Sequence, residues 1–163
     1  MIKFKFDKDK AAEMMIYIVS KVPQCDKHTL MKICFFSDMN HLENYGRPVT
    51  GNRYVKMNYG PVPSEIYDML RNPLQDEHYI VVNGYSLATS REANLKKLSK
   101  SDVNSIDYAV DMLADMDFKK RTEVSHGHAW QSADLNKVID FEAMLEEIGD
   151  IELLQYVRSS NVT

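Results

Sequence analysis

One stretch of this chain decides its fold: Leu30-Met31-Lys32-Ile33-Cys34-Phe35-Phe36. Its side chains are apolar nearly all round a helix, and Met39 and Leu42 continue the apolar stripe to a stop at Gly46. A helix that is apolar on all sides is stable only when other elements cover it. The stretch therefore predicts a central, buried helix around which the rest of the chain packs.

The segments on either side predict further helices. Upstream, an amphipathic helix is expected from an N-cap at Asp9 to a stop before Pro23. Its inward residues recur with the helical period: Ala11, Met15, Ile18 and Val22. Downstream, Ser64 is expected to cap a helix that ends near Pro73, and Ser101 to open a long helix. The inward residues of these two helices are Ile66, Tyr67, Met69 and Leu70, and then Val103, Ile106, Val110 and Leu113.

The remaining signals add one hairpin and a helical C-terminal region. A short helix is expected around Trp130, and residues 141–156 are expected to be helical with a break near Gly149. The clearest strand signal is the run 79–87, where Asn83-Gly84 between two β-rich segments favours a type I′ hairpin. The predicted fold class is mainly α, a compact single-domain helical fold with a central buried helix and a small β-hairpin.

Composition limits the class of protein. The chain has 163 residues, of which 44% are hydrophobic, and it has no long uncharged apolar run that could span a membrane or serve as a signal peptide. We expect one domain, inside the cell, with Cys25 and Cys34 reduced and packed in the interior. The net charge is −4, and residues 134–152 alone carry seven carboxylates and one lysine, a net −6. An acidic tail of this kind repels nucleic acid.

A second informative region runs from Tyr45 to Pro63. These nineteen residues contain three of the six glycines and three of the five prolines. Proline fixes φ and glycine supplies the positive φ that other residues avoid, so this connection is expected to be rigid. The Gly-Pro-Val-Pro segment, 60–63, is expected to lead into the helix at Ser64.

The candidate catalytic and metal-binding groups are weak. His126 and His128 are two residues apart, but the sequence does not show further ligands that would converge on them. Asp38 and His41 are three apart on the central helix, and they are either an acid and base pair or an ordinary helix-surface pair. Ser125 lacks the Gly-x-Ser-x-Gly context of a nucleophile. We expect no enzyme activity, no metal and no cofactor.

The motifs of the chain resemble those of a known family. The central helix is followed by Tyr45-Gly46-Arg47-Pro48-Val49-Thr50-Gly51, by Tyr54, and by Tyr59-Gly60-Pro61-Val62-Pro63 with Ile66-Tyr67. A second block comprises Leu98-Ser99 before the long helix, and then Ser125-His126 with Trp130. Together they resemble the Panacea domain, the SocA-like and phage GepA-like family, over about residues 10–131. The single Panacea-like domain would then span residues 1–163, with 134–163 as an acidic helical tail outside the resemblance.

This resemblance implies an antitoxin. Panacea domains are interaction modules that bind and neutralise protein toxins, and SocA is similar to a proteolytic adaptor that delivers its toxin to the ClpXP protease. Some relatives carry an added helix-turn-helix domain, for which this chain has no room, so direct DNA binding is not expected. Two alternatives stay open: a phage or mobile-element protein that inhibits a host factor, and an enzyme that uses His126 with Asp38 or His41.

The motif residues form the candidate partner-binding site. They are Tyr45, Gly46, Arg47, Pro48, Gly51, Tyr54, Tyr59, Gly60, Pro61, Val62, Pro63, His126 and Trp130. Aromatic side chains on a rigid loop suit partner binding, because little entropy is lost on contact. The same residues could instead only lock the loop onto the core. His126 and Trp130, four apart, are expected on one helical face, either packed with the imidazole hydrogen-bonded to the loop or in direct contact with the partner.

Overall fold

A computed structural model describes residues 1–71 and 79–161. The central element is α2 (Lys27–Tyr45), which begins at the N-cap Asp26 and ends at Gly46, a left-handed C-cap with φ of 72°. Other helices and one strand of a small sheet pack around α2 on several sides. Its buried residues include the polar side chains of Lys32, Asp38 and His41. The prediction of a central buried helix is confirmed.

The helices α1 (Lys8–Lys21) and α4 (Lys100–Leu113) cover α2, and each is capped two residues earlier than the sequence predicted. Asp7, not Asp9, caps α1, because its carboxylate accepts a hydrogen bond from the Lys10 amide at 3.0 Å. Ser99, not Ser101, caps α4, since Ser99 and Asp102 form a reciprocal capping box. The inward residues of both helices are as predicted, except that Val103 is only partly buried.

A three-stranded antiparallel sheet forms from β1 (Tyr54–Met57), β2 (Gly60–Pro63) and β5 (Val138–Ile139), in the order β2-β1-β5. Residues 60–63 lead into a helix, as expected, but they also form an edge strand, which was not predicted. At an edge, proline costs no interior ladder bond. The helix α3 (Ser64–Arg71) follows β2 directly, with Ser64 as its first residue and not as its cap. The predicted end near Pro73 lies outside the described residues.

The predicted hairpin is present as β3 (Ile80–Asn83) and β4 (Ser86–Thr89). Its loop is Gly84-Tyr85, because Asn83 pairs with Ser86, and only Gly84 has a positive φ, 68°. A type I′ turn needs a positive φ at both loop residues, so that part of the prediction is wrong. The hairpin lies on the flank of the helices, where the Leu87 amide donates to the Cys25 carbonyl at 2.9 Å.

In the described part of the chain after α4, the helices are short: α5 (Phe118–Ser125), α6 (His128–Ser132), α7 (Phe141–Ile148) and α8 (Ile151–Ser160). The short helix around Trp130 and the break at Gly149, where φ is 85°, are confirmed. Met144 and Leu145 of α7 join Phe35 of α2 in one apolar cluster, so the acidic C-terminal region contributes to the core. Cys25 and Cys34, both among the described residues, are buried free thiols. The fold is mainly α and compact, as predicted.

Candidate functional site around the first hairpin

Two buried polar side chains of α2 form hydrogen bonds with the connection between α2 and β1. Asp38 accepts hydrogen bonds from the Val49 amide at 2.7 Å and from the Tyr54 hydroxyl at 2.6 Å, and the pKa of its carboxyl is raised to about 7 by burial. His41 donates from Nδ1 to the Arg47 carbonyl at 2.6 Å, since a carbonyl can only accept. Both side chains are fully buried, so they are neither a helix-surface pair nor an exposed acid and base.

The turn between β1 and β2 is held in a different way. Three alternate carbonyl groups of the turn each accept one hydrogen bond from a side chain outside the hairpin. Trp130 Nε1 donates to the Met57 carbonyl at 2.8 Å. His28 Nε2 lies 3.2 Å from the Tyr59 carbonyl, and Lys32 Nζ donates to the Pro61 carbonyl at 2.9 Å. The turn is thus fixed from outside by α2 and α6 as well as by its own glycine and prolines.

The tautomer of His28 follows from its partners. Arg121 Nε lies 3.2 Å from Nδ1, and because a guanidinium can only donate, Nδ1 accepts and the proton sits on Nε2. Nε2 therefore donates to the Tyr59 carbonyl. Burial, and then the charge of Lys32, lower the pKa of His28 to about 4. His28 stays neutral and keeps the turn in place at physiological pH.

Lys32 is a buried amine at the centre of the apolar helix. Its side chain is 1% exposed, and burial lowers its pKa to about 7. Gly60 makes room for it: a Cβ atom there would overlap both Lys32 Cε and Ser125 Oγ, and Gly60 has a φ of 118°, which favours glycine. Sequence reasoning missed Lys32, although a lysine inside an otherwise apolar run was a visible signal.

His126 and Trp130 lie behind the turn. They do not share a helix, because His126 ends α5 and Trp130 belongs to α6, so that part of the prediction is wrong. Their rings stack nevertheless, with centroids 3.7 Å apart and planes at 8°. The imidazole contacts the loop as predicted, through a backbone hydrogen bond with Asn58, and the Trp130 indole donates to the Met57 carbonyl at 2.8 Å. Lys56 Nζ lies 4.0 Å from the Trp130 ring centroid, a cation–π contact.

Two aromatic side chains are presented to solvent at this turn. Tyr59 is 62% exposed and Phe118, the first residue of α5, is 45% exposed. Their ring centroids are 5.2 Å apart in an edge arrangement, and the His28 ring lies 4.1 Å from that of Phe118. We call Tyr59, Phe118, His28 and Trp130 the turn surface. Phe118 was not predicted, because nothing in the local sequence connects it with Tyr59.

Comparison with known proteins now assigns the chain to a family. A family model described as antitoxin SocA-like, Panacea domain, matches residues 30–131, which include most of α2, the first hairpin, α4 and the His126–Trp130 pair. The chain belongs to the SocA-like Panacea family. No curated protein and no solved structure gives a match. The description of the family names an antitoxin and names no chemical reaction.

The Panacea motif residues do not form one surface in this structure. Tyr45 is 51% exposed, packs against the His41 ring, and sits at the C-terminal end of α2 with Gly46 beside the Tyr156 ring of α8. His28 and the turn lie at the other end of α2, about 25 Å away along the helix axis at 1.5 Å per residue. Tyr45, Gly46, Arg47, Pro48 and Gly51 belong to the α2–β1 connection, whereas Tyr59, Gly60, Pro61, Val62 and Pro63 belong to the turn and β2. Tyr54, 1% exposed, supports both from the interior.

The other chemical candidates have structural contacts in this Panacea domain. Ser125 is buried and its hydroxyl donates to the Thr122 carbonyl of its own helix at 2.9 Å. His128 Nε2 lies 3.6 Å from Glu146. Within residues 1–71 and 79–161, no three histidine, cysteine or acidic side chains are grouped so as to hold a metal ion. In the same ranges, no helix is both long and apolar enough to cross a bilayer.

Dialysis against a chelator is therefore expected to leave the melting temperature unchanged. The physical reason is that His128 has one carboxylate beside it and, among the described residues, no third ligand is placed to complete a metal site. Thermal unfolding followed by circular dichroism, with metal analysis of the purified protein, checks this. Stoichiometric bound zinc, or a lower melting temperature after dialysis, would contradict it.

Proposed function

We propose that this protein is an antitoxin that neutralises a cognate protein toxin by direct binding, and that the turn surface holds the toxin. Membership of the SocA-like Panacea family supports the antitoxin role. The observation that supports this choice of surface is the exposure of Tyr59, with Phe118 of α5 beside it, on a turn whose carbonyls at residues 57, 59 and 61 each accept a hydrogen bond from a side chain.

Such a surface suits protein binding for a physical reason. Association loses the freedom of every loop and side chain that it immobilises. Here the loop is ordered in advance by Trp130, His28 and Lys32, and the rings of Tyr59 and Phe118 already contact each other. Large aromatic side chains on a fixed backbone are typical of the few residues that dominate binding energy.

Tyr59→Ala is expected to weaken the complex with the toxin by more than ~2 kcal/mol, because the variant removes an exposed aromatic anchor and leaves the backbone contacts of the turn in place. The toxin is sought as the product of a gene next to that of this chain, by co-purification. Titration calorimetry with the purified pair measures the loss. Tyr54 is not a suitable test of the surface, since its side chain is buried.

The matched control is Tyr85→Ala, in the loop of the second hairpin. Tyr85 is 84% exposed and lies outside the turn surface. Its removal therefore shows whether losing any exposed tyrosine weakens binding, or only the one at the turn surface. Circular dichroism shows whether both variants keep the fold. Full affinity in a folded Tyr59→Ala variant would show that the toxin binds elsewhere, for example at the α2–β1 connection with Tyr45.

Binding could neutralise the toxin by occlusion or by delivery to a ClpXP-type protease. The two are separated by the half-life of the toxin in cells with and without the protease, in the presence of this protein. We further propose that the protein acts in the cytoplasm as a single domain over residues 1–163, turns over no substrate, uses no cofactor, and does not bind DNA directly. The acidic region after residue 134 favours the last point, because it repels phosphates.

A further inference from the structure

The elements that meet at the turn surface are rich in positive charge. Lysine and arginine residues are present on β1, on α2 and on α5: Lys27, Lys32, Lys56, Lys119, Lys120 and Arg121. The carboxylates of these elements near the turn, and of the segment that leads into α5, are Asp26, Asp115, Asp117 and Glu123. Even without the buried Lys32, the cations outnumber these carboxylates, so the segments around the turn carry a small excess of positive charge in a chain whose net charge is −4.

Two of these four carboxylates are already engaged. Asp26 accepts from the Thr29 amide at 2.7 Å and Asp117 accepts from the Lys120 amide at 2.8 Å, each as the N-cap of a helix. Asp26 also lies 3.9 Å from Arg121. Their charges are partly offset by the helix ends that they cap, since the N-terminus of a helix carries about half a positive charge.

Both of those helices begin at the turn surface. The first turn of α2 contains His28, and α5 starts at Phe118, with the two rings 4.1 Å apart. The positive ends of two helices thus converge beside the exposed Tyr59–Phe118 pair. Lys119 and Lys120 are exposed and lie within the first turn of α5, so their charges are within about one Debye length of Phe118 at physiological ionic strength.

The pKa values of the bases at this site respond both to burial and to the charges around them. Burial is the main cause that lowers the pKa of Lys32, His28 and His126. Nearby cations lower them further: Lys32 acts on both histidines, and Arg121 acts on Lys32. The smaller, coulombic part of this lowering comes from positive charge near the turn, and positive charge there would attract a carboxylate of a partner.

We infer that the turn surface binds an acidic segment of a partner protein, one in which aspartate or glutamate side chains flank an apolar or aromatic residue. The apolar residue packs on Tyr59 and Phe118, and the carboxylates lie over the first turns of α2 and α5. The identity of the partner as a toxin rests on the proposed function. The acidic and apolar character of the segment is argued from the turn surface alone.

A nucleic acid could contact the same cations, but it fits the turn surface less well than an acidic peptide does. Its phosphates continue at regular spacing beyond the patch, and the chain has a net −6 over residues 134–152. A short acidic peptide segment can end where the positive region ends. Charge complementarity of this kind favours a protein partner and sets its orientation.

The test uses three synthetic probes of equal length and the whole chain labelled with ¹⁵N. The probes are an Asp/Glu peptide with a central Phe, the same peptide with Asn/Gln in place of the acids, and an oligothymidylate. The acidic peptide is expected to shift the amide signals of residues 58–60 and 117–122. Its affinity is expected to fall about tenfold in the double variant Lys119→Glu with Lys120→Glu, as two reversed exposed charges would produce.

The matched control is Lys96→Glu with Lys97→Glu, which makes the same change in net charge on a different exposed segment, next to α4. It should leave the affinity unchanged. The inference is overturned if the Asn/Gln peptide binds equally well, if the oligothymidylate binds more tightly, if both double variants weaken binding alike, or if no probe shifts the turn signals. If Tyr59→Ala abolishes toxin binding but the double variant Lys119→Glu with Lys120→Glu does not weaken it, the proposed function is supported and this inference is wrong.

Discussion

Replacing Phe35 by alanine is expected to lower the free energy of unfolding by about 3–5 kcal/mol, the usual loss for a fully buried phenylalanine. Phe35 is 1% exposed, and its ring meets those of Phe36 and Tyr54 edge-on at 5.3 Å and 5.2 Å. It belongs to the apolar cluster that joins α2 to β1 and α7. The cavity left by the truncation would therefore lie where three elements meet.

Phe36→Ala is the matched control for this prediction. The two residues are neighbours on α2 and lose the same atoms on truncation, but Phe36 is only partly buried. Its loss should be clearly smaller, because fewer buried contacts disappear. Urea unfolding followed by circular dichroism measures both variants. An unchanged stability of Phe35→Ala, or equal losses in the two variants, would contradict the position assigned to α2.

Elements specified by a local pattern were predictable from the sequence. The all-round apolar run of α2, its stop at Gly46 and the break at Gly149 each depend on residues within one or two turns. The second hairpin was likewise found from two β-rich segments around a glycine turn. Local signals fail in detail where two candidates compete within one turn. Asp7 and Asp9, or Ser99 and Ser101, are examples, since only the side chain that reaches a free amide becomes the cap.

Elements that need a distant partner were not predictable. β2 exists because residues 60–63 pair with β1, and β5 because residues 138–139 pair with Tyr54 and Val55 from far along the chain. Gly-Pro-Val-Pro has low strand propensity, and only its edge position makes it tolerable. Strand register and edge position depend on residues that are distant in the sequence, so the local pattern of a single sequence does not predict them.

The candidate site was partly predictable for the same reason. The glycine and proline spacing pointed to the right turn, and the separation of His126 and Trp130 indicated that they are neighbours. The side chains that hold the turn, Lys32 and His28, come from α2, and no spacing connects them with residues 57–61. The burial of Tyr54 also depended on the unexpected acceptor Asp38.

Lys32→Met is expected to change the pH dependence of stability more than any other single substitution at the turn. In the folded protein the pKa of Lys32 is lowered from 10.5 to about 7 by burial. Between these two values the unfolded chain binds more protons than the folded one, so stability rises with pH across this window. Below about pH 7 both states are protonated and the full cost of burying the charge remains.

Methionine has a similar length and no charge, so the free energy of unfolding of the variant does not show this rise with pH. The advantage of the wild type over Lys32→Met should therefore grow by about 3 kcal/mol from about pH 7 to about pH 9.5, at ~1.36 kcal/mol per pH unit. The lost hydrogen bond to the Pro61 carbonyl shifts the two curves apart by a constant amount and does not change their slopes.

The measurement is a series of urea unfolding curves for wild type, Lys32→Met and Lys96→Met over this range of pH. Lys96→Met controls for the loss of one positive charge, because Lys96 is exposed on the segment before α4. Taking differences from the wild type cancels the titration of all other groups that the variants share. A difference between wild type and Lys32→Met that stays constant with pH would show that the amine keeps its proton in the folded state. The turn would then be held by a charged donor, and the buried site would be better solvated than the 1% exposure of Lys32 indicates.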